Sequence, residues 1–358
     1  MLTKRRPDAK AAILLAAYDF TAANKVFCYN LITLAPESKN AEAPFSSFLS
    51  FASYLLHHAY RSPRATLYSR LSLLIFRILI EDLSLCNTLC TSEPFQVRLC
   101  RQRQPFLPLT PKPRPPISSI LDILIDTINH NLRRHLDLNL YTSTLELLHR
   151  LISYLTFTRT KLEYHWSLLW QTLLSFLRFL TTYAATIPTS DPSLPQLLHP
   201  FLATLALAVT NGESFLPSAA AYDDLFYKLV ETGTFLARFK TTFDFPLSQP
   251  PVHTTTTTTT APASKSSTTS PIDLLIQVST HFQTLVDGER EKGKLGNNPS
   301  PREVSKIIRA GYESLSLPGI EGLDKWEKFR EGEERGLLKR AARGAVEDTR
   351  ELVRGLWD

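Results

Sequence analysis

Glycine is scarce in this 358-residue chain, with only 12 residues, and methionine occurs once. Leucine is abundant instead, a balance that favours helices over strands. No run alternates apolar and polar residues over a useful length, which argues further against a sheet. The four cysteines, Cys28, Cys86, Cys90 and Cys100, read as reduced thiols of a cytosolic protein. The amino terminus lacks a signal-peptide layout, because Lys4, Arg5 and Arg6 precede an alanine-rich stretch holding Asp8 and Lys10. Cys86 and Cys90 share a helix face, yet no His/Cys pair with zinc-type spacing follows, so neither a metal nor another cofactor is expected. The most apolar runs, Leu71–Ile80 and Leu194–Val209, are interrupted by Arg77 and by His199-Pro200. Each falls short of the ~20 clean apolar residues a bilayer core requires, and a chain that does not cross a membrane is expected.

Catalytic apparatus is missing as well. There is no GxSxG, phosphate-binding glycine loop, HExxH or dinucleotide fingerprint. His130, His135, His149 and His165 have no Ser or Cys partner that spacing identifies. His57-His58 falls late in a helix, where histidine suits the terminal dipole. Glu81-Asp82 reads as a solvated helix end, and Asp223-Asp224 as charge at a helix start. No enzyme is expected.

What is present is helical periodicity. In LEYHWSLLWQTLLSFLRFL, Leu162, Trp166, Leu169, Trp170, Leu173, Leu177 and Leu180 mark one face. The polar residues form one narrow stripe, so this helix is sandwiched, and Trp166, Trp170, Leu173 and Leu177 are structural core. The same pattern predicts helices over Ala9–Leu34 (bent near Asp19-Phe20), Phe45–Tyr60, Arg64–Leu85, Ile117–His135, Leu138–Phe157, Thr160–Tyr183, Leu194–Val209 and Ala219–Lys240. The last two are separated by a turn at Asn211–Pro217. Ile272–Leu285, Arg302–Leu315, Ile320–Arg330 and Glu333–Leu356 follow. Successive antiparallel helices with short turns predict an all-α, armadillo/HEAT-like helical stack, an α-solenoid. Its expected divisions are an armadillo-like domain over 1–244, a disordered linker over 245–271 and a smaller, charged helical segment over 272–358. The linker holds seven consecutive threonines, Thr254–Thr260. From Leu285 to the end there are 15 basic and 15 acidic residues, which reads as a balanced, wet surface.

One interruption carries charge. The segment 91–116 contains VRLCRQRQPFLPLTPKPRPP, and no acid lies between Glu93 and Asp122, whereas Arg98, Arg101, Arg103, Lys112 and Arg114 are basic. Its prolines forbid a helix over its second half. These five charges nearly account for the net +6 of the chain. An acidic protein segment or an anionic membrane surface would suit them. RNA would want more aromatics than Phe95 and Phe106, and the modest total charge does not point to nucleic acid. The plain alternative is a solvated, disordered loop.

LEYHWSLLWQTLLSFLRFL, NGESFLPSAAAYDDLFYKLV and VSKIIRAGYESLSLPGIEGLDKWEKF, in that order, together with LYSRLSLLIFRILIEDLSLCNTL and the basic loop after it, resemble the armadillo-like helical domain-containing protein 3 family, formerly a domain of unknown function. The resemblance spans roughly Leu67 to Val353 and covers the family's carboxyl-terminal part, with the threonine linker as an addition. It implies a non-enzymatic cytosolic scaffold, peripheral at the Golgi. The partners it implies are a phosphatidylinositol 4-kinase (the beta form) and an Arf guanine exchange factor. An importin-like transport factor would need ordered Asn and Trp ladders, which the sequence does not display.

Overall fold

The computed structural model describes residues 9–36, 38, 41–110, 112–132, 136–187, 191–243, 270–293, 295, 300–326 and 328–354. Most of the 245–271 linker, and His135, lie outside these residues. The described chain is all-α, an armadillo-like helical stack, and no strand occurs among the described residues. In order, the helices are α1 Ile13–Ala23, α2 Lys25–Thr33, α3 Pro44–His57, α4 Pro63–Glu81, α5 Leu83–Thr91, α6 Pro116–Asn131, α7 Leu138–Thr158, α8 Trp166–Thr182, α9 Ser193–Phe215, α10 Ala219–Glu231, α11 Gly233–Thr242, α12 Pro271–Glu291, α13 Pro301–Gly311 and α14 Arg335–Arg354.

Proline and serine punctuate the stack. α3, α4, α6, α12 and α13 all open on proline, whose missing N–H costs nothing in a first turn. Ser62, Ser218, Ser270 and Ser300 cap α4, α10, α12 and α13 through their hydroxyls, and Ser300 with Glu303 forms a capping box. Asn24 breaks the first expected helix. Its side chain accepts from Val26 N (2.9 Å) and Phe27 N (3.0 Å), and the chain turns by 116° there rather than at Asp19-Phe20.

Two compact units result, and they divide the chain elsewhere than at 244 and 272. The first is Met1–Leu151 with Trp326–Asp358; the second is Ile152–Lys325. In the first unit α3 lies between α4 and α6, while α1 and α14 pack on α4. Phe45, Leu49, Tyr68, Phe76, Leu121 and Leu148 fill its core. In the second unit α8 packs on α10 and α11, and α12 packs on α9, α10, α11 and α13. Trp166 and Trp170 stack at 5.6 Å and are 2% and 0% exposed; Leu173 and Leu177 are fully buried beside them. The indole N–H of Trp166 donates to Leu162 O (3.0 Å), whereas that of Trp170 is buried without an acceptor.

Several expected boundaries move for local reasons. α8 begins at Trp166 rather than Thr160. Arg159 adopts φ +51° and ends α7, and Leu162 N then donates to Phe215 O at 3.2 Å. α9 runs through Asn211-Gly212 to Phe215. Gly212 is there for proximity, because a Cβ would sit 2.5 Å from the Tyr222 ring, whose hydroxyl donates to Val209 O (2.5 Å). α9 is, at 23 residues, long and apolar enough to cross a bilayer despite His199 and Pro200, and 72% of its most apolar window is buried within the second unit. Residues 321–324 form turns rather than a helix, and 325, 326 and 328–330 are irregular.

Candidate functional site

The described residues of the basic segment form a closed loop. Phe95 and Arg114 pair through both backbone bonds (Phe95 N to Arg114 O, 3.3 Å; Arg114 N to Phe95 O, 3.4 Å), which brings its ends together. Its first half lies along α3. Ser46 and Ser50 donate to the carbonyls of Gln96 (3.3 Å) and Arg98 (2.5 Å), and Cys100 N donates to Ser53 Oγ (2.7 Å). His58 Nε2 pairs with Gln102 Oε1 at 2.7 Å. The pattern is a matching of periods: loop residues 96, 98, 100 and 102, about 6.6 Å of extended chain apart, meet positions 46, 50, 53 and 58, on average about 6 Å of helical rise apart. A sequence reader sees cations and prolines; the serine row on α3 that receives them gives the only advance sign. The alternative of a solvated, disordered loop does not describe its first half, where Gln96 O, Arg98 O and Cys100 N, which would otherwise need water, are satisfied by α3.

A cavity of about 910 Å³ lies at this loop, and all five basic residues line it. They divide into two kinds. Arg114 pairs with the buried Asp122 at 2.5 Å, and Arg103 donates to His57 O and sits 4.2 Å over the Tyr60 ring. These two hold the loop. Arg98 is 90% exposed beside Glu42 (3.6 Å), Arg101 lies over the Phe106 ring and Lys112 is exposed. Beyond them Phe106 and Leu109 are 48% and 78% exposed at the loop's tip. The rim is therefore cationic with an apolar point.

A polar cluster lies at the wall of the cavity, with Cys100, Asp126 and His130 lining it. His57, Asp126 and His130 bring ligand-type atoms within 4.8 Å of one another, as do His57, His58 and Cys100, whereas Cys86 and Cys90 join no such cluster among the described residues. Burial, then the His130 and Arg103 charges, lowers the His57 pKa to about 3; burial lowers that of His58 to about 4. Both rings are neutral at pH 7, so they place no cation at the end of α3. Asp126 is pushed up to about 7 by burial and by Asp122. Arg103 Nε donates to His57 Nε2 (3.4 Å), so one ring nitrogen faces a cation already. This cluster reads as the loop's anchor.

Two other acidic pairs also differ from expectation. Glu81 is a hub: Arg150 donates to it, Arg77 Nε lies 3.3 Å away, and Phe329 N donates to its two oxygens at 2.8 and 2.9 Å. It binds the carboxyl-terminal segment of the first unit and is no solvated end; its neighbour Asp82 caps α5 and pairs with Lys25 (2.8 Å). Asp223 is buried, accepting from Arg309 Nε (2.5 Å) and Tyr312 OH (2.7 Å), while Ser218 supplies the cap of α10. Both carboxylates need partners more than 80 residues away in sequence, which local spacing cannot show.

The frame and the loop define a class: an armadillo-type helical stack that displays charged surface on rigid helices. The chain belongs to the armadillo-like helical domain-containing protein 3 family, whose C-terminal description matches residues 114–351. It is similar to the Schizosaccharomyces pombe protein named "UPF0588 membrane protein C20F10.02c", 29% identical over 346 residues, which is 96% of this chain and 52% of that protein. It is similar to armadillo-like helical domain-containing protein 3 of Homo sapiens (23% identical, 61% of this chain and 30% of that one) and of Xenopus laevis (24%, 67% and 34%). The chain thus spans about half the length of the first relative and about a third of the animal ones. No solved structure matches it.

Proposed function

We propose that this protein is a non-enzymatic scaffold, acting in the cytoplasm and peripherally at the Golgi, that binds protein partners through the basic loop. The partners proposed are phosphatidylinositol 4-kinase beta and an Arf guanine exchange factor, in support of phosphatidylinositol 4-phosphate production and Golgi organisation. The observation that carries this reading is a cationic rim, Arg98, Arg101 and Lys112, on a loop whose first half is held on α3 by a row of hydrogen bonds. A prepaid loop conformation lowers the cost of binding, which is what an adaptor surface needs. Family membership supports the same reading. The test is capture of both named enzymes by the purified chain and by a variant with Arg98, Arg101 and Lys112 changed to Gln. Capture by the native chain and its loss in the variant would support the reading; capture of neither enzyme by the native chain would sink it.

A second reading is direct binding of the loop to an anionic membrane. Exposed Phe106 and Leu109 among those cations favour it, since apolar points between basic residues suit a lipid interface. It is in keeping with the S. pombe relative being named a membrane protein. Flotation with anionic vesicles that is unchanged in the same variant would remove the loop from this role.

A further inference from the structure

The carboxyl-terminal stretch from Leu285 is balanced in charge by count, but its last helix, α14, carries six basic and three acidic residues, unevenly placed in space. Two of the three acids of α14, and Glu334 just before it, pair with the body of the first unit, whereas Glu351 is exposed. Glu347 pairs with Arg64 at 2.7 Å, Asp348 accepts from the Tyr68 hydroxyl and lies 3.7 Å from Arg64, and Glu334, just before the helix, lies 3.9 Å from Arg70. Gly344 makes this approach possible, because a Cβ there would collide with the Arg64 guanidinium. Three acidic groups are thereby spent on α4. The cations are left outside: Arg335, Lys339, Arg343, Arg350 and Arg354 are all exposed, and none has an ion-pair partner among the described residues.

At about 100° per residue these five side chains fall within an arc of roughly 100°. Val346 and Val353 share that arc and are 51% and 47% exposed. No acidic residue falls in it. The row runs for about 28 Å at 1.5 Å per residue. Five charges without an ion-pair partner among the described residues, with two apolar residues among them, form a ridge along the helix, bordered on one side by Glu347 and Glu351. An acidic protein would be met by aromatic anchors and a groove, the usual centre of a protein interface, and this arc has neither. A flat anionic lipid surface needs neither: long basic side chains reach phosphates while short apolar ones reach the acyl boundary.

We propose that the outer face of α14 is a docking surface for an anionic membrane, separate from the basic loop. It goes beyond the reading given for that loop and does not depend on it. The attraction is worth about a fivefold gain in partition per basic side chain near the surface.

The test uses the full chain and flotation with phosphatidylcholine vesicles, with and without about one third phosphatidylserine, at ~0.15 M salt. Three proteins are compared: the native chain, R335Q/K339Q/R343Q/R350Q/R354Q, and the loop variant R98Q/R101Q/K112Q. Glutamine keeps helix propensity, and the inward acids keep their partners, so an unchanged helical circular dichroism and melting temperature show that α14 still docks. The native chain is expected to float with anionic vesicles only and to be released at ~1 M salt. The α14 variant should bind at least about 100-fold more weakly, while the loop variant retains the α14 contribution. A native chain that does not float, floats equally on neutral vesicles, or binds poly-glutamate but not vesicles would overturn the proposal. So would an α14 variant that floats like the native chain, whatever the loop variant does.

Discussion

Glu81→Ala tests how the first unit closes on itself. The carboxylate is the counter-charge for Arg150, 3% exposed, and for Arg77, and it accepts the backbone N–H of Phe329. Removing it takes a carboxylate counter-charge from Arg150 in the interior, and breaking one side of a buried pair costs about 3–5 kcal/mol. Arg77 retains Glu146 at 3.6 Å, so its loss is partial. The freed Phe329 N–H adds about 1 kcal/mol. The cost falls on one unit, about 4–6 kcal/mol in all, against the 5–15 kcal/mol typical of a whole fold. Hydrogen exchange is the assay because it reads the two units separately. The segment 326–330 and α14 should exchange much faster, by two to three orders of magnitude, while α8 is unchanged. The double replacement Glu81→Leu with Arg150→Met should recover most of the loss, since well-packed apolar pairs replace buried ion pairs at little cost. If Glu81→Ala leaves exchange at 326–330 as it was, or opens α8 equally, the closure described for the first unit is wrong.

Replacing Trp166 or Trp170 by Ala should cost about 3–5 kcal/mol, read as a shift of the urea midpoint for the second unit; a cost below about 1 kcal/mol would place them at a surface. Asp223→Ala should loosen α13, by about 2 kcal/mol through the lost Tyr312 bond, and raise exchange there. Gly212→Ala should destabilise by about 1–3 kcal/mol, because the new methyl meets the Tyr222 ring. For Asp126 the sign is set by a folded pKa of about 7, raised above the ordinary carboxylate value. The native state then binds more protons than the unfolded chain between about pH 4 and 7, and stability falls as pH rises through that window. Asp126→Asn should therefore be more stable than the native protein at pH 8, with the difference gone near pH 4, as measured by thermal melts across pH.

Helix content was legible because leucine recurs at helical spacing throughout, and the tryptophan face of α8 could be read directly from Leu162 to Leu180. Boundaries were less legible where backbone conformation overrode side-chain pattern. Arg159 takes a left-handed conformation that sequence gives no reason to expect, and Gly212, which looks like a turn signal, serves the close approach of Tyr222. The basic loop announced its charge but not the seating of its first half, which depends on serines of a helix some 50 positions earlier. Counting charges concealed the most about α14. The equal tally from Leu285 onward hid that α14 itself is basic and that Glu347 and Asp348 turn to α4 while five of its cations do not, a property of packing against α4.

The central claim is that the protein works through cations displayed on a rigid helical frame. Hydrogen exchange of the native chain, alone and with each partner enzyme bound, tests it most directly. The account predicts slower exchange over residues 95–114 with α8 and its neighbours unchanged. Protection confined to the second unit, or bound partner with no change in the loop, would contradict it.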